Sequence, residues 1–255
     1  MVDPSIPGNG PIVLVHGVPE TPDLWDPLIR TLPGRDPVAL RLPGFGGPRP
    51  AGFGATKEEY VAWLVGELEA LGDGPVDLVG HDWGGGFVVR LVSTRPELVR
   101  SWVTDAAGLA SPTFAWHDFA KIWQTPGDGE AFFAQQLAAT GEERAGIFEM
   151  FKVPADQAAR MAGWLDETMA GCILDLYRSA VDVAAEWGPD FVDVGPPGLV
   201  LAPSDDPFIA AEMTASGAGR AGAALEVLDG LGHWWMLEDP GRGAGAIERF
   251  WSTLA

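Results

Sequence analysis

Apolar residues fall along this chain in two alternating rhythms. Short apolar runs, such as "IVLV" at 12–15 and "GLVLA" at 198–202, have the length and β-branched content of buried strands. Six are expected: Pro11–Val15, Pro37–Leu42, Val76–Gly80, Ser101–Ala106, Gly198–Ala202 and Leu225–Leu228. Between them the apolar spacing turns helical. Thr21–Leu32 puts Leu24, Leu28 and Ile29 on one face, and Thr56–Leu71 opens on a capping box of Thr56 with Glu59. Gly85–Thr94 stops before Pro96, and Gly241–Leu254 runs to the end of the chain. This alternation predicts an α/β fold with a mostly parallel sheet and helices on both faces.

Residues 110–195 break the alternation. Met161, Trp164, Leu165, Met169, Ile173, Leu176 and Tyr177 recur at helical spacing, and no strand pattern intervenes. The stretch reads as a helical insertion between two sheet strands. Residues 1–109 and 196–255 then form one core, with 110–195 laid over it.

Composition narrows the function. The formal charge is −20 and no basic run is present, so neither nucleic acid nor an anionic membrane is an expected partner. Cys172 is the one cysteine, which excludes a disulfide framework and a cysteine-based metal site. No apolar run approaches the ~18 residues of a membrane span. "MVDPSIPGNG" lacks the cationic start and apolar stretch of a signal peptide. The expectation is a cytoplasmic protein with a small-molecule ligand, no metal and no cofactor, with a homodimer left open.

"LVGHDWGGGF" at 78–87 is where chemistry enters. Gly80 and Gly84 flank Asp82 at the spacing of a nucleophile elbow, with aspartate in place of serine. A sharp strand-to-helix turn strains the apex and crowds the neighbouring backbone, so glycines flank it. The helix that follows aims free N–H groups at the apex. A plain aspartate helix cap is the bland alternative. His-Gly at 16–17 ends the first strand, and His233 sits in a glycine-rich loop after the last. His16 reads as structural, His81 flanks the apex pointing the wrong way for a base, and His117 reads as a surface residue. His233 alone is placed to act as a base.

The motifs H-G-V-P-E (16–20), L-P-G-F-G (42–46), G-H-D-W-G-G (80–85) and G-H-W-W-M-L-E-D-P (232–240) resemble the α/β-hydrolase superfamily, in its epoxide hydrolase and haloalkane dehalogenase branch. The resemblance implies the α/β-hydrolase fold with a helical cap at 110–195 and reduced first strands. It implies Asp82 as nucleophile, His233 as base, and the Val18 and Trp83 N–H groups as oxyanion donors. For the acid that orients His233, the Asp-Pro of "VLAPSDDPF" selects Asp206; Asp205 and Asp105 remain alternatives.

An aspartate is ionised at neutral pH and attacks a strained ring or a carbon bearing a leaving group, forming an alkyl ester. His233-activated water then hydrolyses the ester. Epoxide hydrolases protonate the opening oxygen with two cap tyrosines. Here Tyr177 matches one, Tyr60 lies outside the insertion, and Trp116, His117 or Trp123 is left to replace the other. A halide would take weak N–H donors such as the Trp83 indole. Trp83 and Gly86 stand where haloacid dehalogenases carry arginines, which disfavours an anionic substrate. The expectation is an epoxide hydrolase for a neutral, apolar substrate bound by Tyr177, Trp83, Trp116 and Trp123. The alternatives are a haloalkane dehalogenase, a natural-product-pathway enzyme and a non-catalytic member of the fold.

Overall fold

The computed structural model describes residues 10–32, 34–72 and 74–254. Among them runs one six-stranded sheet: β1 (Ile12–Val15), β2 (Val38–Leu40), β3 (Val76–Gly80), β4 (Val99–Thr104), β5 (Gly198–Pro203) and β6 (Ala224–Leu228). The order is β2-β1-β3-β4-β5-β6, and every neighbouring pair is parallel. Strand residues alternate between two cores, as the two-residue period of a strand requires. Val13, Val15, Leu78, Trp102 and Val200 face one side; Ile12, Leu14, Val79, Val103, Leu199 and Leu201 face the other. The first core is covered by α2 (Lys57–Leu71), α3 (Trp83–Thr94) and α10 (Ala211–Ala221), and the second by α1 (Asp26–Thr31), α11 (Trp235–Glu238) and α12 (Pro240–Ser252).

All six expected strands and the four expected helices form, with shifted ends. β2 is shorter than expected because Pro37 has no N–H, and the Leu42 N–H goes to the His16 ring at 3.2 Å instead of the ladder. The first helix opens as a 3-10 turn, Pro22–Trp25, before α1. The Thr56–Glu59 capping box is present in both directions at the start of α2.

Between β4 and β5 run a 3-10 turn at Ala107–Ala110 and then α4 (Asp118–Gln124), α5 (Asp128–Ala138), α6 (Gly141–Met150), α7 (Ala155–Ala162), α8 (Glu167–Ser179) and α9 (Val183–Trp187). The apolar face of α8, including Met169, Ile173, Leu176 and Tyr177, is buried. Among the described residues no helix is long and apolar enough to cross a membrane.

The chain leaves β1 for β2 on one side and returns to β3 on the other, so the loops after β1 and β3 part there. In open parallel sheets that switch point, at the carboxyl ends of the strands, is where ligands bind. Val18 follows β1, Asp82 follows β3, Asp105 follows β4, Asp206 follows β5 and His233 follows β6.

Candidate active site

Asp82 sits at the apex of the turn from β3 into α3 with φ 50° and ψ −121°. A non-glycine residue held there stores about 1–3 kcal/mol of backbone strain. Close packing enforces it: a Cβ on Gly84 would strike the carbonyl oxygens of Val15 and His16, and one on Gly17 would strike the Asp82 side chain itself. The apex carboxylate is partly accessible. Its Oδ1 accepts the Val18 N–H at 2.9 Å. The first main-chain bonds of α3 run from Gly85 to His81 and from Gly86 to Asp82, so the Trp83 N–H belongs to the free first turn beside the carboxylate.

His233 faces the apex. Its Nε2 lies 3.8 Å from Asp82 Oδ2, and its Nδ1 bonds Asp206 Oδ2 at 2.8 Å. Asp206 is held in turn by the N–H groups of Phe208 at 2.7 Å and Ile209 at 3.3 Å. The two rival acids are occupied elsewhere. Asp205 pairs with Lys152 at the surface. Asp105 bonds His81 Nδ1 at 2.6 Å, the Trp235 indole at 2.8 Å and the Asp82 N–H at 3.0 Å.

Charge follows this wiring. Burial raises the Asp82 carboxyl to about 6, against the opposing pull of His233. Burial would lower His233, but Asp206, with a further push from Asp82, holds it above the ordinary histidine value. Burial would raise Asp206, and the charge of His233 keeps it low.

Beneath the turn lies a second buried array that the sequence reading left without a role. His81 stands between Asp105 and Glu20, its Nε2 3.1 Å from Glu20 Oε1 in an alignment too bent for a good hydrogen bond. Burial works against a charge on His81, and the two carboxylates outweigh it, holding the ring protonated. Glu20 also accepts the Gly17 N–H and the Trp234 indole, both at 2.7 Å. The array therefore ties together the loops that carry Val18, Asp82 and His233. Glu20, His81 and His233 bring ligand atoms within 4.8 Å of one another. Glu20 faces the charged His81 ring, and His233 spends only Nδ1, on Asp206. His16 is structural: Nδ1 donates to Gly17 O at 2.8 Å, Nε2 accepts from Leu42, and burial drops its pKa to about 4.

Two cavities open on Asp82. The larger is walled by aromatic and aliphatic side chains such as Phe119, Phe148, Phe151 and Trp234, and His233 and Val18 also line it. The smaller is lined by Trp83, Leu109, Phe114, Trp116 and Ile209. Tyr177 lines both, buried, and its phenol is kept protonated by burial and by the nearby Asp82 charge; the Trp83 ring packs edge-on against it, 5.5 Å between centres. His117, expected at the surface, instead lines both cavities. Its Nδ1 accepts the Ala120 N–H at 3.2 Å as the cap of α4, and burial lowers its pKa to about 4. The neutral ring therefore carries its proton on Nε2. Trp116 lines the smaller cavity, but its N–H is spent on the carbonyls of Ala180 and Val181, both at 3.2 Å. Trp123 lines the larger one, and its buried Nε1 has no hydrogen-bond partner among the described residues. Tyr60 is remote from Asp82, buried and bonded to Pro43 O at 2.9 Å.

A family model described as the alpha/beta hydrolase family matches residues 12–246. The chain belongs to this family. An (E)-2-((N-methylformamido)methylene)succinate hydrolase from Acinetobacter baylyi is 26% identical over 96% of this chain and 92% of that protein. Epoxide hydrolase A of Mycobacterium tuberculosis is also 26% identical, over 100% of this chain and 94% of its own length. The solved structure of a haloalkane dehalogenase from Bradyrhizobium elkani superposes with a TM-score of 0.74 at 21% identity, over 96% of this chain and 92% of that one.

Within this alpha/beta hydrolase, Glu20 was visible in the His-Gly-Val-Pro-Glu motif and His81 beside the apex, but nothing local says that they meet. Their partners come from four strand ends far apart in sequence.

Proposed function

We propose that this hydrolase opens an epoxide of a neutral, apolar substrate through an ester on Asp82, with the helices of 110–195 acting as its cap. The observation that carries the reading is an apical carboxylate facing the His233–Asp206 pair, with the protonated phenol of Tyr177 beside it. Asp82 attacks a ring carbon, and a carbon–oxygen bond of the ring breaks toward its oxygen. Tyr177, packed edge-on against the Trp83 ring, keeps its hydroxyl proton and offers it to that oxygen. The His117 Nε2–H supplies the second donor in place of a second tyrosine.

Alkylation removes the charge of Asp82, one of the influences that raise His233. His233 is then held less strongly in its protonated form when a base is needed. It takes a proton from water, and the oxygen adds to the Asp82 carboxyl carbon. The Val18 and Trp83 N–H groups hold the oxyanion, each donor worth about 3–4 kcal/mol. Collapse breaks the ester carbon–oxygen bond; the two protons of the water, one held by His233 and one on the Asp82 carboxyl, pass to the leaving oxygen and to the donor that protonated the ring oxygen, so the diol leaves and the carboxylate is restored. The cavity walls, mostly apolar, match a substrate without charge.

The second reading is a haloalkane dehalogenase, favoured by the unpaired indole N–H of Trp123, a donor suited to a halide. Incubation with matched alkyl epoxides and 1-haloalkanes separates the two. Diol from the epoxides without halide from the haloalkanes is expected; halide release without diol would replace the first reading with the second.

A further inference from the structure

We infer that the two cavities meeting at Asp82 hold the two arms of one substrate, so that the preferred oxirane is internal, with a long apolar arm and a short one. This rests on the epoxide reading and goes beyond it. Asp82, His117, Tyr177 and Phe208 line both cavities and form the partition between them. The reacting carbon must therefore sit at a junction, not at the closed end of a single pocket. His233 and Val18 face only the larger cavity, so the activated water acts from that side. The arm lying away from them enters the smaller cavity.

The chemistry of the smaller cavity fixes the kind of arm. Its walls of Ala106, Leu109, Phe114 and Ile209 are apolar. The Trp116 N–H is spent on backbone carbonyls, and the Trp83 ring packs edge-on against Tyr177. A hydroxylated or charged arm would lose its water there and gain no partner. With less space than the larger cavity, it suits an arm of a few carbons, and the longer chain takes the other side. A terminal epoxide would leave the smaller cavity empty. Each methylene placed in it is worth roughly four-fold in kcat/KM until the space is full.

The test compares trans-2,3- and trans-3,4-epoxyalkanes with 1,2-epoxyalkanes of equal carbon number, in the wild type, in Leu109→Phe and in Phe114→Ala. The internal-to-terminal ratio of kcat/KM is expected to exceed about ten in the wild type. It falls about ten-fold in Leu109→Phe, which fills the smaller cavity, and the best second arm lengthens in Phe114→Ala. Diol formation with terminal epoxides preferred, or with the same ratio in all three proteins, would overturn the two-arm inference while leaving the Asp82 mechanism standing. Absence of diol from both series would remove the epoxide reading, and this inference with it.

Discussion

The Nε2 of His233 stands 3.8 Å from Oδ2 of Asp82, beyond direct hydrogen-bond reach. That gap suits a base that acts on water rather than on the nucleophile. A serine at the apex would need the imidazole in contact; a carboxylate needs it only after the ester has formed. The separation of the two steps gives each residue a distinct signature when removed.

His233→Ala should alkylate at the normal rate and stall there. Intact-protein mass spectrometry after mixing with an epoxide is expected to show a stoichiometric adduct equal to the substrate mass, with turnover reduced at least 10³-fold. Asp206→Asn leaves the imidazole without its orienting anion and should also slow ester hydrolysis, by 10²–10⁴-fold by analogy with other catalytic triads. An unmodified His233→Ala protein would remove the ester from the pathway.

Ionisation sets the pH dependence. Asp82 must be a carboxylate to attack, and burial places its pKa at about 6. The alkylation rate should rise with pH through about 6 and level off above it. His233 must be neutral to activate water, and Asp82 is among the groups that raise its pKa. NMR titration should therefore find a lower His233 pKa in Asp82→Asn, where that charge is gone. An unchanged value would mean that the two groups are not coupled.

Tyr177→Phe removes the donor that holds the opening oxygen. Loss of one positioned proton donor is expected to lower the alkylation rate by about 10²–10⁴-fold. Hydrolysis of an ester already formed should change little, because Tyr177 has no part in that step. Rapid-quench measurement of the two phases distinguishes this from a general packing defect.

Two glycines predict opposite effects on stability. A methyl at Gly84 collides with the Val15 and His16 carbonyls, so Gly84→Ala should cost about 1–3 kcal/mol. Gly66 lies on the exposed face of α2, with open space where a Cβ would go. Gly66→Ala should raise stability by about 0.5–1 kcal/mol through helix propensity. Urea denaturation of the two variants reads both.

The sheet was legible because buried strands bounded by glycine and proline leave a pattern that short-range forces dictate. The turn at Asp82, the N–H donor of Val18 and the His233 loop were legible because each sits where a strand ends. The Asp-Pro resemblance favoured Asp206 but left Asp205 and Asp105 open: three aspartates follow strands, and which one meets His233 depends on loops that pack across the sheet. The placement of His117 was misread for the same reason. A lone histidine among aromatic residues gives no local sign that Phe208, a distant residue, will pack on it at 5.0 Å between ring centres. Long-range partners also explain why the Glu20–His81–Asp105 brace left no trace in the pattern.

The most direct test of the mechanism is a single turnover in ¹⁸O-labelled water, followed by mass analysis of the peptide that contains Asp82. The account predicts one ¹⁸O in the Asp82 carboxylate and unlabelled diol from the first turnover. Label in the diol, with none in the peptide, would show that water attacks the substrate directly and that Asp82 is not the nucleophile.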